Sequence, residues 1–186
     1  MLGARNKDDG MQFMTLTKYL MHLAVTFAAA LVLTAQATRP ASAQTLSREE
    51  ERAIEMGKDI YKVKANCQFC HKWDASGDTG YGGVALSLRK TQLTPEQFTE
   101  VVKCGRPFTG MPHHDERAYT DKRCYGMTKE ELGKDAPPIG ESLNAREIDA
   151  VVKYLFARHV GRGVSTYEDC IDFWGKETRQ CEPMKP

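Results

Sequence analysis

The pentapeptide Cys67-Gln68-Phe69-Cys70-His71 constrains this chain more strongly than any other feature of its sequence. Two thiols three residues apart can add to the two vinyl groups of one haem, while the next residue offers its imidazole to the iron. A thioredoxin-like redox pair would require a surrounding βαβ pattern, and a zinc site would require a second closely spaced Cys or His pair. No βαβ pattern is present, and the spread of Cys104, Cys124, Cys170 and Cys181 does not offer such a pair. The motif therefore predicts one covalent c-type haem, held through Cys67 and Cys70, with His71 as an iron ligand.

The first 43 residues have the pattern of a secretory signal peptide. An uncharged apolar run at 23–35 is preceded by Lys18 and followed by the small residues Ala41-Ser42-Ala43. This run is shorter than the ~20 residues that a membrane-spanning helix needs. We therefore expect the leader to be removed, so that the mature chain lies in the periplasm with no membrane anchor.

Length and charge exclude several classes of protein. The chain has 186 residues, which fits one globular domain rather than a large multidomain enzyme. Its 26 basic and 25 acidic side chains nearly cancel, so no electrostatic footprint for nucleic acid or a membrane surface is present. We assign residues 44–160 to a haem-binding domain and residues 161–186 to a C-terminal extension.

Helix signals dominate the mature chain, and no segment predicts a strand. Two shorter helices are expected at Thr128–Leu132 and Ser165–Trp174, whereas residues 76–83 and 105–121 have the composition of loops. The expected fold is all-α, with three main helices and long loops around one haem. These three helices begin at capping pairs three residues apart, namely Ser47 with Glu50, Thr94 with Gln97 and Asn144 with Glu147.

A second iron ligand is expected in the loop Thr109-Gly110-Met111-Pro112. Met111 lies in a polar, Gly/Pro-stiffened loop outside any apolar periodicity, which favours a ligand over a core methionine. Met127, His113 and His114 remain alternatives. A His71/Met111 pair favours ferrous iron and leaves no open coordination position, as in an electron carrier.

Five further residues are candidates for a role in binding the haem or in disulfides, namely Arg106 and the four cysteines outside the motif. The Arg106 guanidinium can pair with a haem propionate, although a solvated loop arginine fits equally well. Proximity along the chain favours disulfides between Cys104 and Cys124 and between Cys170 and Cys181. Free buried thiols are the alternative.

The motif, the methionine loop and a last helix with Val152-Lys153-Tyr154-Leu155 resemble class I monohaem cytochromes c over about residues 47–159. In that family the first and last helices cross at a small residue and aromatic rings, here matched by Gly57, Tyr61 and Tyr154 with Leu155. The chain departs from a minimal member by an insertion at 112–143 and by its tail. The segment from Cys104 to Met127 is similar to periplasmic cytochromes that accept electrons from quinoprotein dehydrogenases.

The resemblance implies a monomeric one-electron carrier rather than an enzyme. Its donor would be a periplasmic dehydrogenase of the quinoprotein type, and its acceptor an oxidase or another cytochrome. A haem subunit fixed in a larger oxidoreductase is an alternative. A haem peroxidase or gas-binding protein is a further alternative, which would require an open axial position on the iron.

Overall fold

A computed structural model describes residues 46–176 and 178–186, so the leader predicted at residues 1–43 lies outside the described part. Most of the regular structure is helical, and a small hairpin is formed by β1 (Asp78–Gly80) and β2 (Gly83–Ala85). Short 3-10 turns occur at Gly133–Asp135 and Arg179–Met184, and a wider π-helical turn at Ile60–Lys64 follows the first helix. The helices are α1 (Arg48–Asp59), α2 (Gln68–His71), α3 (Pro95–Cys104), α4 (Lys129–Leu132), α5 (Ala145–Arg158) and α6 (Tyr167–Trp174).

The capping pairs mark the helix starts as predicted. Helices α1, α3 and α5 each begin with both hydrogen bonds of a capping box, and α4 begins in the same way at Thr128. Helix α6 begins one residue later than predicted, because Thr166 is its N-cap and pairs with Asp169. The Ser165 hydroxyl instead donates to the carboxylate of Asp74, at 2.8 Å, and is not available as a cap.

Helices α1 and α5 cross at Gly57, as the resemblance implied. A Cβ atom on Gly57 would lie 2.7 Å from Cβ of Tyr154 and would collide with the backbone carbonyl of Ala150. The rings of Tyr61 and Tyr154 lie beside the crossing, with their centroids 5.8 Å apart. Only glycine allows the two backbones to approach this closely. The buried core around the crossing also contains Ile54, Ile60, Phe98, Val102, Leu143, Ile148, Val151, Val152, Leu155 and Phe173.

The prediction that residues 76–83 form a loop without strands is wrong. Residues 78–80 and 83–85 pair as an antiparallel hairpin, with Thr79 opposite Val84. The two strands have only three residues each, which is too short for a two-residue alternation to be recognised in the sequence. The hairpin carries the chain back to α2, where it packs against the Cys67–His71 segment.

Both predicted disulfides are present. Cys104 is bonded to Cys124, and Cys170 to Cys181. The first disulfide anchors a small second core in the 112–143 insertion, formed by Ala118, Tyr119, Cys124 and Leu132 with Cys104.

The second disulfide ties the end of α6 to the C-terminal turn. The α6 residue Phe173 is buried in the main core, where its ring packs against Tyr61 and Trp73. Within residues 46–176 and 178–186, no helix is long and apolar enough to cross a membrane.

Candidate functional site

Helix α2 brings the three motif residues together in a single turn. The N–H group of His71 donates to the carbonyl of Cys67, at 2.9 Å, and this bond closes the turn. The two cysteines lie three residues apart within it. In the described chain, the thiols of Cys67 and Cys70 are free, whereas the other four cysteines form disulfides. Residues three and four apart share one face of a helix, so α2 can offer both thiols and the imidazole on one side.

The imidazole of His71 is held in a single tautomer. Its Nδ1 atom lies 3.0 Å from the backbone carbonyl of Leu86, and a carbonyl can only accept, so Nδ1 carries the proton. Burial lowers the pKa of His71, the bond to Leu86 opposes this shift, and the charge of Arg106 lowers the pKa further. The ring is therefore neutral at pH 7, and its Nε2 lone pair is left for a metal.

The hairpin positions the Leu86 carbonyl by packing tightly against α2. The N–H group of Gly82 donates to the carbonyl of Phe69, at 2.9 Å. A Cβ atom on Gly82 would collide with Sγ of Cys70 and lie 2.5 Å from the ring of Phe69. A Cβ atom on Gly80 would lie 2.6 Å from the carbonyl oxygen of Cys70. These two glycines allow the hairpin, and Leu86 after it, to approach the motif.

The loop that contains Met111 is closed by local hydrogen bonds. The N–H group of Arg106 donates to the carbonyl of Met111, and the N–H group of Met111 donates to the Thr109 hydroxyl, both at 3.2 Å. That hydroxyl donates in turn to the carbonyl of Arg106, at 2.8 Å. Gly105 has a positive φ of 64°, and a Cβ atom there would lie 2.7 Å from the carbonyl oxygen of Met111. The loop is therefore tight, and Met111 is partly exposed at its end.

Arg106 links this loop to the motif. Its positive charge acts on the pKa of His71, and its backbone bonds Met111 directly. Among the described residues, the Arg106 guanidinium forms no salt bridge, in contrast to Arg89, which pairs with Asp169. A guanidinium beside the motif with no carboxylate partner fits a carboxylate group of a bound ligand.

The alternative iron ligands have other surroundings. Met127 packs against the second core beside the Cys104 disulfide. His113 and His114 are buried, and each donates from Nδ1 to a backbone carbonyl, at Asp115 and Glu141 respectively. Met111 differs from these two histidines in its burial, because its side chain is partly exposed at the end of its loop.

The chemistry of the site suits a large apolar cofactor rather than a thiol redox centre or zinc. Burial raises the pKa of the Cys67 thiol to about 12, whereas a redox-active thiol needs a lowered pKa. No group of three His, Cys, Asp or Glu side chains in the described chain could hold a metal ion. Large apolar side chains are exposed next to the motif, at Leu86 (67%), and next to the Met111 loop, at Phe108 (72%) and Ile139 (78%). These exposed apolar side chains and the two free thiols fit a covalent haem.

A separate groove lies beside α2. Its volume is about 650 Å³, and aromatic side chains line it together with Lys72 and Gly80. Neither His71 nor Met111 borders this groove. The aromatic lining residues are Phe69, Trp73, Tyr81 and Trp174.

Comparison with known proteins identifies one related family. Residues 52–129 match the family model described as cytochrome c oxidase, cbb3-type, subunit III. The matched region, less than half of the chain, includes Cys67, Cys70, His71 and Met111. No curated protein and no solved structure matches the chain. Together with the helical fold, the family match supports a c-type cytochrome, which implies covalently bound haem c with iron and a role in electron transfer.

Proposed function

We propose that this protein is a periplasmic one-electron carrier whose haem iron is bound by His71 and Met111. Cys67 and Cys70 would hold the haem through thioether bonds, and Arg106 would pair with a propionate. When bound, the haem supplies the exchange between ferric and ferrous iron. The protein residues hold it in place, set its environment and exclude other ligands.

One observation carries the proposal: the motif turn holds His71 with its Nδ1–H donating to the carbonyl of Leu86, at 3.0 Å, so that Nε2 is available to iron beside two free thiols. The N–H group of Arg106 donates to the carbonyl of Met111, at 3.2 Å, and this bond closes the loop of the proposed second ligand. A neutral imidazole and a thioether favour ferrous iron and leave no position for oxygen or peroxide. This arrangement suits electron transfer better than peroxidase or gas-binding chemistry.

The proposed donor is a periplasmic dehydrogenase of the quinoprotein type, and the proposed acceptor is an oxidase or another cytochrome. We assign this donor because the segment from Cys104 to Met127 is similar to cytochromes that serve such enzymes. The predicted signal peptide supports the periplasm. Because 26 basic side chains nearly balance 25 acidic ones, docking should depend on a local surface rather than on long-range steering.

A second candidate function is a haem subunit held permanently in an oxidase. The description of the matching family, a subunit of a cbb3-type oxidase, favours it. The 112–143 insertion and the C-terminal tail would then provide the docking surface. Native size measurement in periplasmic extract distinguishes the two functions, because a free carrier migrates as a monomer of the mature chain.

The ligand assignment is tested by replacing Met111 with alanine and, as a matched control, Met127 with alanine. Ferric iron bound to a methionine sulfur has a weak far-red absorption band, which should vanish in Met111→Ala and persist in Met127→Ala. The reverse result would assign the sulfur ligand to Met127. A band that persists in both variants would reject a methionine ligand at either position.

The donor is tested by stopped-flow mixing of the ferric protein with reduced dehydrogenases from the same periplasm. Rapid reduction by a quinoprotein, with a weak dependence on salt, is the expected result. If no dehydrogenase reduces the protein and the isolated protein turns over peroxide, the electron-carrier assignment is wrong.

A further inference from the structure

The 112–143 insertion folds back along the methionine loop. The N–H group of His113 donates to the carbonyl of Pro138, at 3.0 Å, and the N–H group of Gly140 donates to the carbonyl of His113, at 2.9 Å. The N–H group of Leu143 donates to the carbonyl of His114, also at 2.9 Å. The two residues that follow Met111-Pro112 are thus bonded on one side to residues 138–143.

On the other side, the same residues are bonded to the end of α3. The N–H group of His114 lies 3.2 Å from the carbonyl oxygen of Val102 and 3.1 Å from that of Lys103. His114 therefore lies between α3 and the returning segment. Its backbone takes part in hydrogen bonds to both.

The side chain of His114 joins the same contacts. It is 4% exposed, and its Nδ1–H donates to the carbonyl of Glu141, at 2.7 Å. Gly140 makes room for the ring, since a Cβ atom there would lie 2.7 Å from Cε1 and 2.9 Å from Nδ1 of His114. The ring fills a space that only a glycine leaves open.

We propose that His114, seated on Gly140, is a positioning residue that holds the Met111 loop in its ligand-binding position. The inference rests on the proposed function, in which the Met111 sulfur binds the iron. A thioether is a weak ligand at the end of a loop, so the fraction of molecules in which it is dissociated depends on how firmly the loop is held. The Glu141 bond and the Gly140 contact hold the loop three residues beyond Met111. This assigns the 112–143 insertion a role at the iron.

The test is a titration of the ferric holoprotein with imidazole, which binds iron only when the methionine sulfur has dissociated. His114→Ala should increase the apparent imidazole affinity about tenfold, the effect of losing one buried hydrogen bond. His114→Asn, whose amide N–H can replace Nδ1–H, should restore most of the wild-type affinity. Gly140→Ala should increase the affinity without changing the histidine.

His159→Ala is the matched control, because His159 is a buried histidine bonded to Tyr154 and Arg89 rather than to this loop. The His159→Ala variant should unfold at a lower denaturant concentration than the wild type and keep the wild-type imidazole affinity. Equal increases in His114→Ala and His159→Ala would overturn the inference, since general destabilisation would explain both. Unchanged affinity in His114→Ala, or in Gly140→Ala if His114→Ala does not fold, would overturn it as well. Unchanged affinity in Met111→Ala would overturn the ligand assignment itself.

Discussion

The Nδ1–H group of His71 donates a hydrogen bond to the backbone carbonyl of Leu86, with the two atoms 3.0 Å apart. This contact joins the helical turn that carries the motif to the residue that follows the hairpin. It selects one tautomer of the imidazole and makes Nε2 a better electron donor. In the proposed site, the hairpin would therefore act on the iron through a backbone group.

Displacing the hairpin should weaken this bond and raise the reduction potential. In Gly82→Ala, the added methyl group would collide with Sγ of Cys70 and with the ring of Phe69. We expect an increase of no more than about 60 mV, which corresponds to a tenfold change for a one-electron couple. A spectroelectrochemical titration measures it. The control Val84→Ala alters an exposed side chain of the same hairpin and should leave the potential unchanged.

The haem should be attached only through the two motif cysteines. Wild-type protein should keep a haem-stained band in a denaturing gel and after extraction with acidic acetone, because thioether bonds survive both. The Cys67→Ala/Cys70→Ala double variant should lose the band, whereas Cys170→Ala/Cys181→Ala should retain it. Extraction of the haem from the wild-type protein would show that it is not covalently bound.

The two disulfides should contribute similar stability but differ in their effect on the iron. Their closed segments span 20 and 11 residues, and the chain-entropy treatment gives each roughly 3 kcal/mol of unfolding free energy. Only the Cys104–Cys124 segment contains Met111. Replacing that pair with alanines should therefore weaken the far-red methionine band, while replacing Cys170 and Cys181 should not. Denaturant unfolding and absorption spectra measure the two effects separately.

The buried His159 should make stability depend on pH below neutrality. Burial, with a contribution from the charge of Arg89, lowers the pKa of His159 to about 4, so the ring is neutral in the folded protein. Between pH 4 and pH 6.5 the unfolded chain binds the additional proton, and stability must fall as the pH decreases. We expect His159 to contribute a loss of about 2 kcal/mol between pH 7 and pH 5.

Urea unfolding at both pH values checks this expectation. His71 and His114 also have lowered pKa values, so the contribution of His159 is the difference between wild type and His159→Gln. The variant should be less sensitive to acid than the wild type. An identical loss of stability in both proteins would contradict the assignment.

Local patterns predicted the helices, whereas the contacts that complete the site could not be predicted. A capping box needs only two side chains three residues apart, so Ser47, Thr94 and Asn144 marked their helix starts correctly. The bond between His71 and Leu86 uses a main-chain carbonyl that any residue could supply. It depends on the hairpin, whose strands are too short to produce an alternating pattern.

In the methionine loop, too, the local sequence did not predict the contacts between distant residues. Met111 was predicted from its polar, stiffened surroundings, and His114 only as an alternative iron ligand. The structure ties the His114 ring to Glu141 and Gly140, residues that lie more than 25 positions further along the chain. Such pairing depends on how the insertion folds back, and no local spacing reveals it.

Exposure of the ferrous wild-type protein to carbon monoxide tests the central claim most directly, namely that His71 and Met111 together close the iron. We predict that the absorption spectrum of the reduced wild-type protein does not change, because His71 and Met111 would together leave no position on the iron for carbon monoxide. Met111→Ala, as the positive control, should bind carbon monoxide readily. Formation of a stable carbon monoxide complex by the wild-type protein would contradict a closed His71/Met111 site.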